Sequence, residues 1–171
     1  MVADREYLGW DSETHLITDT NIAPKLVCYQ LAGTPATYPA LEAHLEAEGW
    51  THGVDFLLRK WWVGATGIRY DGKGLGPHPR AGQVTHGWAV LVKAEHAKSL
   101  HVWALCQAAG GARMVAHNAP YDWGVMCNEH PELLPYSYAA IENKWSTDTR
   151  TREQLYCIAT DNFKFDRRIN R

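Results

Sequence analysis

The tripeptide Asp11-Ser12-Glu13 closes an apolar run that begins at Tyr7, and it constrains the start of the chain more than any other feature. A short apolar run of this kind reads as a strand, in which residues i and i+2 point to one face. Asp11 and Glu13 therefore project together, while Ser12 faces the other way. Two carboxylates on one face concentrate negative charge, and a hard divalent cation such as Mg2+ or Mn2+ is the usual partner of such a pair. Taken alone, the pair also fits a strand ending in solvated acids.

A second apolar run, Ala112 to Ala116, ends in His117-Asn118-Ala119-Pro120-Tyr121-Asp122 and continues into a helical pattern. Asp122 falls in the first turn of that helix, where the helix dipole favours a carboxylate. From there it can reach a metal beyond the strand ends, and it also fits a simple helix-start acid.

D-S-E-T followed by H-N-A-P-Y-D resembles the first two motifs, D-x-E-T and N-x-x-x-D, of the DEDD, or DnaQ-like, 3′-5′ exonucleases. The flanking text E-T-H-L-I, A-P-K-L-V-C and T-D-T-R-T-R-E-Q-L is similar to the amino-terminal exonuclease domain of phage family A DNA polymerases. The similarity spans most of the chain and weakens between Gly33 and Gln83, so 33–83 is expected to be a divergent insert in a single domain. The resemblance implies an RNase H-like α/β fold, a mixed sheet with flanking helices. It also implies two divalent ions among four carboxylates, serving water attack on a terminal phosphodiester and departure of the 3′ oxygen. By motif, Asp11, Glu13 and Asp122 are the expected catalytic metal ligands. Ser12, Thr14, Asn118 and Tyr121 are expected against the 3′ end of single-stranded DNA, with Asn118 not ligating metal.

The family's third motif, a Tyr or His four residues before the last Asp, has no counterpart after Asp122. Asp148 follows Lys144 at that spacing, Asp161 follows Cys157, and Asp166 follows Asn162. The expectation is a C-terminally incomplete domain that holds one Mg2+ or Mn2+ more readily than two and turns over poorly by itself. Three readings stay open: an exonuclease module, a non-catalytic nucleic-acid-binding or polymerase-associated module, and a fragment working beside a separate polymerase chain. Asp148 fits an N-cap of the last helix.

With 171 residues, 46% of them hydrophobic, the chain can bury the core of one domain. A formal net charge of -2 leaves no global basic footprint, so contact with nucleic acid must be local. The most basic stretch holds Arg59, Lys60, Arg69, Lys73 and Arg80, beside Trp61-Trp62. Arg59, Lys60, Trp61 and Lys73 are the expected DNA contacts, although tryptophans more often serve as packing residues. Asp71 to Pro79 reads as an exposed loop that lacks the G-K-[ST] ending of a phosphate-binding P-loop. Four widely spaced cysteines, no C-x-x-C, and initial hydrophobic runs too short for a signal peptide or a span imply a reduced, cytoplasmic protein with no membrane partner. If phage-encoded, that is the host cytoplasm. The nine histidines are scattered without zinc spacing, and most of them read as surface or partly buried imidazoles.

Tyr7–Trp10 and Lys25–Leu31 read as a hairpin across the turn at Thr18 to Asn21. Pro39 opens a helix ended by Gly49, with Leu41 and Leu45 inward and Glu42, Glu46 and Glu48 in solvent. Gly53 to Tyr70 has strand-like aromatic content without a clean period. The pattern then predicts a strand over Thr85–Val92, a helix over Glu95–Ala109, a strand over Ala112–Ala116 and the Asp122 helix through Glu129. Pro131 and Pro135 are expected to break the chain before a short strand at Asn143–Ser146. A final helix, Arg150–Ala159, should turn Leu155 and Ile158 inward.

Overall fold

Alternation of buried and exposed residues along β1, Tyr7–Thr14, decides how the sheet is built: Leu8, Trp10 and Ser12 are buried, while Tyr7, Asp11 and Glu13 are exposed. The computed structural model describes residues 6–15, 18, 20, 24–64, 67–70, 73–74 and 85–159, with 61–86 and 157–159 described by backbone alone. The expected hairpin forms. β1 pairs antiparallel with β2, Leu26–Gly33, with a register shift between Glu13 and Thr14. The strand thus runs past Trp10, and the acids lie within it.

The segment without a clean period is β-structure. β3, Phe56–Gly64, β4, Gly67–Tyr70, and β5, Lys73–Gly74, form an antiparallel ribbon, and β3 pairs with β6, Thr85–Lys93. Lys73 is therefore in a strand rather than in the loop its glycine-rich surroundings suggest. β6 pairs in turn with β2, so the β1-β2-β6 meander carries the ribbon on its outer side. On the other side, β7, Arg113–Ala116, runs parallel to β1, and β8, Ser146–Asp148, runs parallel to β7. The sheet order among the described residues is β5-β4-β3-β6-β2-β1-β7-β8, an α/β mixed sheet.

Helices α1, Tyr38–Ala47, α2, Ala94–Ala109, and α3, Ala119–Glu129, cover the face that Leu8, Trp10 and Ser12 present. Aromatic rings fix that packing: Trp10 meets Trp123 of α3 at 4.8 Å between centroids, and Trp88 meets Trp103 of α2 at 6.2 Å. Burial of each large side chain such as Leu8, Leu31, Leu100 or Met114 contributes about 1.5–3 kcal/mol. Gly33 is required where it stands, because a Cβ there would overlap the Trp88 indole. That indole donates to the Thr34 carbonyl and to Thr37 Oγ1 at 2.9 and 3.0 Å.

α1 follows the expected pattern, with Leu41 and Leu45 buried, Glu42, Glu46 and Glu48 exposed, and Gly49 at φ +69 after its end. Three other expectations fail. α3 ends at Glu129, before Pro131, as expected, but the stretch after it is helical rather than broken: Pro131 and Pro135 occupy the first-turn slots of a 3-10 turn and of α4, Leu134–Glu142, where proline's fixed φ is accommodated. The last strand is Ser146–Asp148 rather than Asn143–Ser146, because Asn143 and Lys144, the latter at φ +58, close α4. In α5, Thr149–Ala159, Leu155 is 59% exposed instead of inward, and the Ile158 side chain lies outside the described residues. None of the described helices is long and apolar enough to cross a membrane. Cys28, Cys106 and Cys127 are free thiols.

Candidate metal and nucleic-acid site

Because β1, β7 and β8 are parallel, their carboxyl ends open on the same edge of the sheet, and that edge gathers the chemistry. β1 is longer than β7 and pairs with it only through Tyr7, Leu8 and Gly9. Past Gly9 that side of β1 has no neighbouring strand among the described residues. The chain leaves β7 at Ala116, turns at Asn118 with φ +68, and enters α3, whose first turn brings Asp122 to this open edge. There Asp122 Oδ1 accepts from the Ser12 backbone N–H at 3.1 Å and from the Ser12 hydroxyl at 2.5 Å.

Asp122 is only 2% exposed. Burial pushes its carboxyl up to about 6; the Ser12 bonds oppose the shift, while the charges of Asp11 and Asp148 add to it. A buried acid that feels two further anions is a position a cation would relieve. Asp11 and Glu13 lie on the opposite, exposed face of β1, as the period-2 pattern predicts. Gln30 Nε2 approaches Glu13 Oε1 at 3.4 Å. The Cys28 thiol, opposite Glu13 on β2, is raised by burial and then by the charges of Glu13 and Asp11.

The remaining motif residues divide. Thr14 Oγ1 and the Tyr121 hydroxyl are hydrogen-bonded at 2.7 Å, linking the two motifs a second time. Ser12 is spoken for: the backbone N–H expected near a 3′ end is given to Asp122, and so is the hydroxyl. Asn118 likewise supports the scaffold, its backbone N–H donating to Asp148 Oδ1 and its Oδ1 accepting from Arg150 Nη1, both at 3.0 Å. Asp148 caps α5 as expected, accepting from the Arg150 N–H at 2.9 Å and the Thr151 hydroxyl at 2.9 Å. Desolvation alone would raise its carboxyl, but the bonds from Thr151, Asn118 and Arg150 outweigh it and hold the group below its ordinary value.

Among the described residues, no three carboxylate, imidazole or thiolate side chains come together as a group able to hold a metal ion. Asp11 and Glu13, on one exposed face, are the side chains that could hold a hard cation, with water completing its shell. Asp122 reaches that pair's strand from its edge, with the second-motif turn behind it.

The basic stretch also divides. Arg59 pairs with Ala89 and shares the face of Asp11 through the register of β6, β2 and β1. Lys60 is opposite buried Trp88 and sits on the helix-covered face, its ammonium 3.9 Å from the Tyr38 ring centroid. Strand alternation therefore separates two cations that are adjacent in sequence. The side chains of Trp61 and Lys73 lie outside the described residues.

Two neighbours escaped the sequence reading. His117, beside the second motif, hydrogen-bonds Thr149 Oγ1 through Nδ1 at 3.0 Å, and its place in the motif was the available signal. His101 is fully buried, an exception to the surface or partly buried placement expected of most histidines. It sits among Trp10, Tyr29 and Trp123, with Nδ1 2.9 Å from the Tyr29 hydroxyl. Burial, and secondarily the charge of His130, lowers it to about 3. No local pattern could have paired these rings. No protein-family model, curated protein or solved structure matches this chain, so its function rests on the site itself.

Proposed function

We propose that the chain is an RNase H-like domain of the 3′-5′ exonuclease type, resembling the exonuclease domain of phage family A DNA polymerases and acting on the 3′ end of single-stranded DNA. The observation that carries this reading is the meeting of the two motifs. Asp11 and Glu13 share the exposed face of β1, and Asp122 is bonded to the open edge of the same strand. The order β6-β2-β1-β7-β8, an antiparallel meander followed by two parallel strands, supports the fold assignment, with β3 to β5 added outside it.

In this reading Asp11 and Glu13 hold a divalent cation, Mg2+ or Mn2+, with Asp122 contributing from the strand edge. When bound, the ion lowers the pKa of a coordinated water and screens the charge on the phosphate. The protein's own part is placement. Ser12 holds Asp122 through two bonds, and the Thr14–Tyr121 pair sets the rim against which a terminal nucleotide can rest. Water oxygen bonds to phosphorus as the bond from phosphorus to the 3′ oxygen breaks, and the departing oxygen takes up a proton. With three candidate carboxylates and no third motif, one ion is held more readily than two, and turnover is slow.

A second reading is a non-catalytic nucleic-acid-binding or polymerase-associated module, which needs no three-ligand metal group; none is found among the described residues. Incubating 3′-labelled single-stranded DNA with Mn2+ separates the two. Mononucleotide release that exceeds that of Asp11→Ala supports the exonuclease. Salt-dependent binding without release supports the module, and neither binding nor release rejects both.

A further inference from the structure

We propose that the face of the sheet opposite α1, α2 and α3 is the track along which a single polynucleotide strand reaches the Asp11–Glu13 pair, with Arg59 holding a phosphate at the far end. This rests on the nucleic-acid reading above and specifies the substrate's path. Arg59, Ala89, Ala32 and Gly9 are successive partners across β3, β6, β2 and β1, so they stand in one row on one face. Asp11 lies on that face at the next outward-facing position of β1.

The middle of the row has no side chain larger than a methyl group. With Gln30, Val115 and His117 around it, it forms an open trough of ≈ 520 Å³ that includes Asp11. Three inter-strand steps of about 4.8 Å separate Arg59 from Gly9, roughly 14 Å. That is about four nucleotides at the ~3.4 Å rise of a stacked strand. Tyr7, 48% exposed on the same face, supplies a ring for a base to stack on. Its partner on β7, Arg113, adds a second cation beside that ring. A cation at the far end, a small-residue floor, an aromatic ring and metal-binding acids match the phosphates, width, bases and scissile bond of a single strand. The charged groups at both ends argue against an apolar peptide.

The experiment is fluorescence anisotropy of labelled DNA and RNA octanucleotides with the full chain in EDTA, which reads binding without metal. Arg59→Ala should weaken octanucleotide binding about 3- to 10-fold and lower the slope of log affinity against log salt by about 1. Arg59→Lys should keep the slope, and Lys60→Ala, on the opposite face, should change neither quantity. The Arg59→Ala penalty should vanish for a dinucleotide, which cannot span the row. Thermal melts by circular dichroism verify that each variant is folded. The track is overturned if Arg59→Ala matches the wild type in affinity and slope, if Lys60→Ala matters as much, if the penalty persists for a dinucleotide, or if the octanucleotides do not bind. An intact Arg59 effect without Mn2+ binding or nucleotide release keeps the track and removes the exonuclease. Mn2+ binding with no Arg59 effect does the reverse. Comparison of the two octanucleotides identifies the preferred sugar.

Discussion

Ser12 gives both its backbone N–H and its hydroxyl to a single carboxylate oxygen of Asp122, at 3.1 and 2.5 Å. This ties the first turn of α3 to the one strand that carries the exposed acids. Ser12→Ala keeps the backbone bond and loses the other. It should destabilise the fold by about 1–2 kcal/mol, because one buried acceptor loses a donor. It should also move the Asp122 carboxyl further up, since the hydroxyl bond favours the ionised form. Urea unfolding and NMR titration of the carboxyl read the two effects, and an unchanged midpoint with an unchanged titration would contradict the bond's importance.

Asp122→Asn separates metal binding from stability. In the fold the carboxyl is raised from 3.8 to about 6, so folding favours its protonated form. That contribution is full below about pH 4 and is lost as pH climbs through about 6. Asn keeps an acceptor for Ser12 and cannot ionise. In EDTA the variant should be more stable than wild type at pH 8, by on the order of 1–3 kcal/mol, with the difference closing below pH 4. Its Mn2+ affinity should fall. Lower stability at pH 8 would show that burial does not oppose this charge.

His101 works in the other direction. Its folded value of about 3 lies below the ordinary 6.5, so the fold favours the neutral ring. The stability this brings is present above about 6.5 and is lost as pH falls towards 3. His101→Phe keeps a ring among Trp10, Tyr29 and Trp123 and removes the titration. Between pH 7 and pH 4 the wild type should lose about 3 kcal/mol relative to this variant. Parallel stability curves would show that the imidazole does not titrate with unfolding.

The legible parts of the fold and site are those with a local period or a local turn. Period 2 placed Asp11 and Glu13 on one face of β1, and the H-N-A-P-Y-D turn placed Asp122 in the first turn of α3. Gly53 to Tyr70 had no clean period, so neither the pairing of β3 and β4 nor the separation of Arg59 from Lys60 could be read before the strand was known. Proline marked the end of α3 but misled after it, since Pro131 opens a 3-10 turn and Pro135 sits in the first turn of α4. Leu155 faces solvent although α5 has an apolar stripe, since orientation depends on what covers a helix. The bonds from Ser12 to Asp122 and from Tyr29 to His101 join residues that meet only after the sheet has formed, and no spacing in the chain encodes them.

Calorimetric titration of Mn2+ into the wild type and into Asp11→Ala, Glu13→Ala and Asp122→Ala tests the central claim most directly. Asp11 and Glu13 share a face and Asp122 adjoins the same strand. The expected result is one ion per chain for the wild type and at least a tenfold loss of affinity in the Asp11 and Glu13 variants, about 1.4 kcal/mol or more. Asp122→Ala should show a clear but smaller loss, since its carboxyl must first ionise in a buried position. No Mn2+ binding by the wild type, or titrations unchanged in all three variants, would contradict the assignment of these carboxylates as a metal site.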